Sequence, residues 1–116
     1  MSEYKLIILM RTDLNMRKGK MVAQGGHAVQ HAVIEASTRA YKTWSSAGGA
    51  KICLGVGSED DLLDLVGVAE EKGLLTGVIV DEGRTEFNGQ RTRTCGFIGP
   101  AKGKDIDKIT GHLKLL

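Results

Sequence analysis

Two short segments of the chain carry side chains that could do chemistry together. The first, residues 16–28 (MRKGKMVAQGGHA), places Lys20 and His27 near the start of a predicted helix, and the second, residues 81–85 (DEGRT), begins with Asp81. Each segment follows a predicted strand, and in an open α/β sheet sites form where the carboxyl ends of parallel strands meet. If these two strands are parallel, the ammonium of Lys20 and the carboxylate of Asp81 can meet at that edge.

Familiar catalytic motifs do not account for these residues. Gly19-Lys20 resembles the end of a phosphate-binding P-loop, but Met21 stands where that loop has serine or threonine. His27 and His31 have the spacing of a zinc pair, yet Ala28 occupies the position of the glutamate in zinc proteases. The sequence also has no Gly-x-Ser-x-Gly elbow for a Ser/His/Asp triad. It therefore predicts a site without a metal or a cofactor.

Each of these residues also has a purely structural interpretation. Lys20 can be a surface cation that tolerates the positive end of the helix dipole, at a cost of roughly a few tenths of a kcal/mol. His27 can be an interior histidine that bonds to a carbonyl, and Asp81 can cap the turn before Gly83. Three threonines have the β-branched shape that strands favour. They are Thr85, Thr92 and Thr94.

The charge of the chain is unevenly distributed. The net charge is +2, but segment 58–73 is strongly acidic, so the remainder is more basic than the sum suggests. This separation suits a protein with one acidic face and one basic face for a polyanion, although ordinary solvated faces would give the same pattern. Aromatic residues make up 4% of the chain, so contacts with a nucleic acid would be mainly to phosphates.

Length and composition predict one intracellular domain over residues 1–116. The apolar run in the first ten residues is too short for a signal sequence or a membrane span, so we expect a cytoplasmic protein without membrane contact. Cys53 and Cys95 lack CxxC partners, which favours buried thiols in a reducing compartment over a disulfide or a metal site.

The elements that must position the site can be located from hydrophobic periodicity. Residues 4–10 (YKLIILM) are almost continuously apolar, as in a strand buried on both faces. Residues 20–44 have a helical period, with a polar stripe opposite the apolar one. That stripe consists of Lys20, Gln24, His27 and His31.

Strands and helices alternate in the rest of the chain. Ser58 and Gly73 are expected to bound one helix. Asn88-Gly89 predicts a hairpin before the last strand, and Pro100 is expected to end that strand. We expect strands at 50–56, 77–80 and 94–98 and helices at 59–72 and 105–110. The alternation predicts an α/β fold of three layers. Helices cover both faces of a four-stranded mixed sheet, which we expect to be mostly parallel.

Four segments together resemble one family. They are 11–28 (RTDLNMRKGKMVAQGGHA), 78–87 (VIVDEGRTEF), 92–101 (TRTCGFIGPA) and 109–116 (ITGHLKLL). The combination is similar to the type-II, archaeal and eukaryotic, peptidyl-tRNA hydrolases, and with the helices between them it covers essentially the whole chain. The resemblance implies a metal-free, homodimeric esterase that cleaves the bond between a peptide and the ribose of tRNA. It also implies that Lys20, Asp81 and Thr85 are catalytic, with Gln24, His27, Thr92 and Thr94 close by.

This implied activity gives the lysine at the helix start a physical reason. Water that attacks an ester carbonyl builds an oxyanion, which an ammonium beside helix N–H groups would stabilise. Asp81 would orient Lys20 and the water, and Thr85 would position water or substrate. Basic residues outside the site are candidates for contact with the tRNA backbone. These are Arg17, Lys18, Arg91, Arg93, Lys102 and Lys104.

Two other functions remain open from the sequence. The same fold can be a non-catalytic module that binds RNA, in which Lys20 and Asp81 form a structural ion pair. It can also be a protein-interaction domain that uses its helix faces, and RNA binding separates these two possibilities.

Overall fold

One mixed sheet organises the chain, in a computed structural model that describes residues 4–84 and 86–116. Its strands are β1 (Tyr4–Arg11), β2 (Lys51–Val56), β3 (Thr76–Asp81) and β4 (Thr92–Lys102). Their order across the sheet is β2-β1-β4-β3. Strand β1 is parallel to β2, whereas β4 is antiparallel to both β1 and β3. The expected mostly parallel pairing is therefore wrong. β1, β2 and β3 do point the same way, but β4 inserts between β1 and β3.

Helices cover both faces of this sheet, so the predicted three-layer α/β/α fold is confirmed. They are α1 (Lys18–Glu35), α2 (Thr38–Ser46), α3 (Glu59–Glu71) and α4 (Gly103–Thr110). One core contains Ala28 of α1 and Trp44 of α2, and the other contains Leu62 of α3 and Ile106 of α4. Alternate residues of β1 fill the two cores, which explains its nearly continuous apolar sequence.

The single helix predicted over residues 20–44 is divided in two. Ala36 is extended, with ψ near 143°, and Ser37 after it is the N-cap of α2. The hydroxyl of Ser37 accepts a hydrogen bond from the N–H of Ala40 at 3.1 Å. Serine favours this capping position over a helix interior, so a local side-chain bond ends the periodic segment early.

Strand β4 continues through Pro100, where we expected it to end. Lys5 pairs with Ala101 and Ile7 with Ile98, so the register shifts where the proline lies. Proline has no N–H to donate, and a bulge is one of the few places in a sheet that accepts it.

The antiparallel connection predicted at Asn88-Gly89 is present, but as a longer loop. Residues 82–91 join β3 to β4, and a short 3-10 turn at Phe87–Gly89 lies within them. Asn88 and Gly89 have φ values of 52° and 78°, the left-handed conformation that this residue pair favours. Residues of this loop, among them Arg84 and Arg91, form one wall of a cavity.

The two edges of the sheet differ in their cover. The C-terminal segment runs along β2, where the N–H of Gly55 donates to Lys114 and the N–H of Leu116 donates to Cys53, both at 3.0 Å. Strand β3, at the other edge, pairs with β4 alone among the described strands. In the part of the chain that the structure describes, no helix is long and apolar enough to cross a membrane.

Candidate active site

Lys20 and Asp81 lie together at the edge of the sheet where β1 and β3 end. Lys20 is in the first turn of α1, and Asp81 is the last residue of β3. The Nζ of Lys20 donates to Oδ1 of Asp81 at 2.8 Å, and the two side chains are 14% and 13% exposed. The sequence anticipated this meeting because both residues follow strands that point the same way.

Asp81 accepts hydrogen bonds on both of its oxygens. Its Oδ2 accepts from the N–H of Gly83 at 2.9 Å, and its Oδ1 also accepts from Nε2 of Gln24 at 3.3 Å. The ammonium of Lys20 lowers the pKa of Asp81 below its ordinary value of 3.8, and the N–H of Gly83 adds to that effect. Asp81 is therefore ionised at neutral pH and is a poor proton acceptor. The aspartate caps its turn and holds the lysine at the same time.

A bulge in β4 connects this pair to Thr94. Consecutive residues of β3 pair with Cys95 and with Arg93, so Thr94 between them has no partner on that strand. The bulge turns Thr94 toward α1, where its hydroxyl donates to Oε1 of Gln24 at 2.5 Å. Gln24 and Thr94 are both buried, so their contacts are with the protein and fix the direction of the Gln24 amide.

Replacing Thr94 by valine tests this connection. The change leaves the carbonyl oxygen of Gln24 without its buried donor, so we expect a loss of about 1–3 kcal/mol in the free energy of unfolding. Thr94→Ser keeps the hydroxyl and should retain most of that stability. Urea unfolding of both variants measures the difference, and an equal loss in serine and valine variants would assign the effect to packing of the methyl group.

In the loop after β3, sequence analysis anticipated the turn at Gly83 but missed Phe87. The ring of Phe87 lies 5.8 Å from Nζ of Lys20, close enough for a cation–π attraction. Gly83 has φ near +79°, and a Cβ there would lie 2.5 Å from the carbonyl oxygen of Gln90. Only glycine fits at this position. The turn that it allows brings the N–H of Gly83 to Asp81. Phe87 follows Asp81 closely in sequence, which is the signal that could have drawn attention to it.

A cavity of about 690 Å³ opens beside the pair. Its walls come from α1, from β3 and from the loop between β3 and β4. Gln24, His27, His31, Asp81, Arg84 and Arg91 are among the residues that line it. His27 is exposed on this surface, so the interpretation as an interior histidine is wrong. The arrangement can hold an ammonium and a carboxylate against a polar substrate, and its volume is within the range of ordinary ligand sites.

Comparison with known proteins points to one family. The family model for peptidyl-tRNA hydrolase PTH2 matches residues 4–116. The chain belongs to this family. A peptidyl-tRNA hydrolase of Methanocaldococcus jannaschii is 45% identical over 115 residues, covering 97% of this chain and 99% of that protein. One from Metallosphaera sedula is 43% identical, with coverage of 97% and 99%. A probable peptidyl-tRNA hydrolase 2 of Drosophila melanogaster is 42% identical, and this chain matches 62% of its length.

Within this PTH2 domain, the predicted substrate-binding residues do not all lie together. Arg91 lines the cavity, and Arg17 reaches toward the same loop to pair with Glu86 at 2.8 Å. Thr92 is paired with Asp81 across the strands, and its hydroxyl donates to the carbonyl of Gln90.

Other predicted contacts of the PTH2 domain point elsewhere. Lys18 lines an apolar groove on the other side of α1, and Arg93 pairs with Glu59 of α3 on the opposite face of the sheet. Lys102 pairs with Tyr4 at the far end of β1, and Lys104 follows it in α4. Thr85 lies outside the described residues, so its catalytic role stays a prediction.

The lowered pKa of Asp81 makes a prediction about acid stability. Because the folded pKa lies below the unfolded value, the carboxylate stabilises the fold fully above about pH 5, and this contribution falls as the pH drops through the folded pKa. The difference in free energy of unfolding between wild type and Asp81→Asn should therefore be constant from pH 5 to 8 and shrink on acidification. Urea unfolding at several pH values measures it, and a difference that grows on acidification would contradict the ionic role.

Proposed function

We propose that this chain hydrolyses the ester bond between the C-terminal carboxyl of a peptide and the ribose of tRNA, with Lys20 and Asp81 at the reacting centre. The observation that carries the proposal is their 2.8 Å ion pair, positioned beside the cavity at the start of α1. Membership of the PTH2 family over residues 4–116 supports the same reaction. Hydrolysis returns a free tRNA and a free peptide.

The start of α1 is arranged to attract negative charge. Its N-cap, Arg17, makes no side-chain capping bond, and its first turn contains no acidic residue. In contrast, α3 is capped by Ser58 and has three acidic residues in its first turn. The positive end of the α1 dipole is therefore not offset by a side-chain cap or by acidic residues of its own first turn, and it adds to the ammonium of Lys20.

In the proposed reaction, water attacks the ester carbonyl, and Lys20 stabilises the negative charge that develops on the carbonyl oxygen. When the intermediate collapses, the bond between the carbonyl carbon and the ribose oxygen breaks, and the ribose oxygen takes up the proton that the water gives up. Asp81 holds the ammonium in place before the reaction begins, so little reorganisation is needed. Because its pKa is lowered, Asp81 orients the ammonium and the water and does not remove a proton fully. Thr85 would then position water or substrate, as the resemblance implies.

Hydrolysis of an N-acetyl-aminoacyl-tRNA in the presence of EDTA tests this function. Release of the N-acetyl amino acid with the metal chelated would support a metal-free esterase. Binding of tRNA without release would instead favour the non-catalytic RNA-binding module. If the chain neither binds tRNA nor releases the amino acid, the result would favour the protein-interaction domain.

Contacts with the tRNA backbone are proposed for the basic residues on the cavity side, Arg17 and Arg91, together with Lys18. Arg93 serves as the comparison, because it has the same charge but lies on the opposite face beside Glu59. We expect Arg91→Ala to reduce the slope of log affinity against log salt concentration by about 1, and Arg93→Ala to change it less. Titration of labelled tRNA at several salt concentrations measures both, and equal slopes in both variants would contradict the assignment.

We also propose a homodimer, as the family resemblance implies, and a cytoplasmic location, as the cysteine usage and the composition of residues 1–10 indicate. Sedimentation of the purified chain at several concentrations tests the dimer, because a dissociating pair changes its apparent mass with dilution.

A further inference from the structure

The open edge of β3 forms one wall of the cavity that contains Asp81. Four consecutive residues of this strand, 78–81, line the cavity. Side chains of consecutive strand residues point to opposite faces of a sheet, so a cavity that touches all four lies against the backbone edge. Because β3 pairs with β4 alone among the described strands, that edge carries N–H and C=O groups that can accept another strand.

The hydrogen bonds of β3 show which of its backbone groups face the cavity. The N–H of Gly99 donates to the carbonyl of Leu75 at 2.8 Å, just before the strand begins. Inward and outward residues alternate along an antiparallel pair, so Gly77 and Ile79 also face β4 and Val78 faces the open edge. The N–H and C=O of Val78 are therefore available to an extended chain in the cavity.

The other walls of the cavity complete a groove along this edge. His27 and His31 project from α1, and Arg84 and Arg91 come from the loop after β3. The groove reaches Asp81 at the carboxyl end of β3, and thus the ammonium of Lys20. A chain lying along the edge of β3 would end at the reacting pair.

We propose that the peptide part of peptidyl-tRNA binds as an added strand along the open edge of β3. This inference rests on the proposed function. Since the ester is at the C-terminus of the peptide and Asp81 is at the C-terminal end of β3, the two strands are parallel. Recognition uses main-chain hydrogen bonds, with the backbone of Val78 as the central partner, and so accepts peptides of any sequence.

Substrates of graded length test this binding mode. Two N-acetylated peptidyl-tRNAs that share their tRNA and C-terminal residue, with one and four peptide residues, are compared with the wild-type chain. We expect kcat/KM to be about 10-fold higher for the longer peptide, whatever its side chains, because it makes additional backbone hydrogen bonds. The amides of the four-residue peptide are also N-methylated one at a time. Methylation of the amide that faces Val78 should remove most of the gain in kcat/KM.

The outcomes separate this inference from the function on which it rests. Failure to cleave even the one-residue substrate would overturn the proposed function. Equal kcat/KM for the two lengths, or a gain that survives N-methylation at every position, would overturn the added strand alone.

A variant of the edge gives an independent measurement. Val78→Pro removes the outward backbone N–H. Val78→Thr keeps this N–H and has a side chain of the same shape as valine. We expect the ratio of kcat/KM between long and short substrates to fall close to 1 in the proline variant and to stay about 10 in the threonine variant. Urea unfolding checks that both fold, and the N-methylated substrates decide the matter if the proline variant does not. A folded proline variant that retains the wild-type ratio would overturn the proposal.

Discussion

Replacing Lys20 by alanine should lower kcat by about 100- to 1000-fold, the effect of removing one preorganised donor from a developing oxyanion. The ammonium is held at 2.8 Å from Asp81 and 5.8 Å from the ring centre of Phe87, so its position is fixed before substrate arrives. KM should change much less than kcat, because the interaction is strongest when the negative charge forms. Steady-state kinetics on N-acetyl-aminoacyl-tRNA measure both constants.

Two comparisons make the Lys20 result specific. Lys42→Ala removes the same charge from an exposed position of α2 and should leave kcat unchanged. Lys20→Arg keeps the charge but replaces a compact ammonium by a planar guanidinium, so partial activity is expected. A Lys20→Ala variant that folds and turns over at the wild-type rate would assign the lysine to structure alone.

The second large effect is expected for Asp81→Asn, which should lower kcat by about 100-fold. The substitution keeps a group of the same size beside Gly83 but removes the negative charge that holds Lys20. The largely buried ammonium would then lose its ionic partner and its orientation, and we expect the transition state to be destabilised more than substrate binding.

Asp13→Asn is a matched control for this change. Like Asp81, Asp13 pairs with a basic side chain: it lies 2.7 Å from Arg11, and that pairing lowers its pKa. It lies in the loop after β1 and does not line the cavity. Its loss should leave kcat unchanged, so an equal fall in both variants would indicate a general effect of charge.

The central pair of the site was accessible from sequence because it depends on local order along the chain. A strand followed by a helix places Lys20 at the carboxyl end of the first strand, and the same reasoning places Asp81 at the end of another. Helical spacing further predicted that Gln24 lies one turn beyond Lys20, on the same side.

Features that depend on pairing between distant residues were not accessible in the same way. The insertion of β4 between β1 and β3 is set by the whole sheet, so local patterns predicted too much parallel pairing. The bulge that turns Thr94 toward Gln24 breaks the alternation on which strand predictions depend. The break between α1 and α2 was missed for a local reason, since Ser37 lies within an otherwise helical period and its capping bond ends that period early.

The same limit explains why some predicted contacts scatter over the molecule. Arg91 and Arg93 are two positions apart in sequence, yet one lines the cavity and the other pairs with α3 on the opposite face. A charged residue can be counted from sequence, but the face it occupies depends on where the regular strand begins. For this reason Arg91 is the stronger candidate for contact with tRNA.

A double-variant experiment tests most directly whether Lys20 and Asp81 act as one catalytic unit. Single-turnover hydrolysis of N-acetyl-aminoacyl-tRNA would be measured with EDTA for the wild type, for Lys20→Ala, for Asp81→Asn and for the chain with both changes. Residues that act as a unit show strongly non-additive effects, so the double variant should be no slower than the slower single variant. Single variants that cleave at the wild-type rate, or rate losses that multiply in the double variant, would contradict the account.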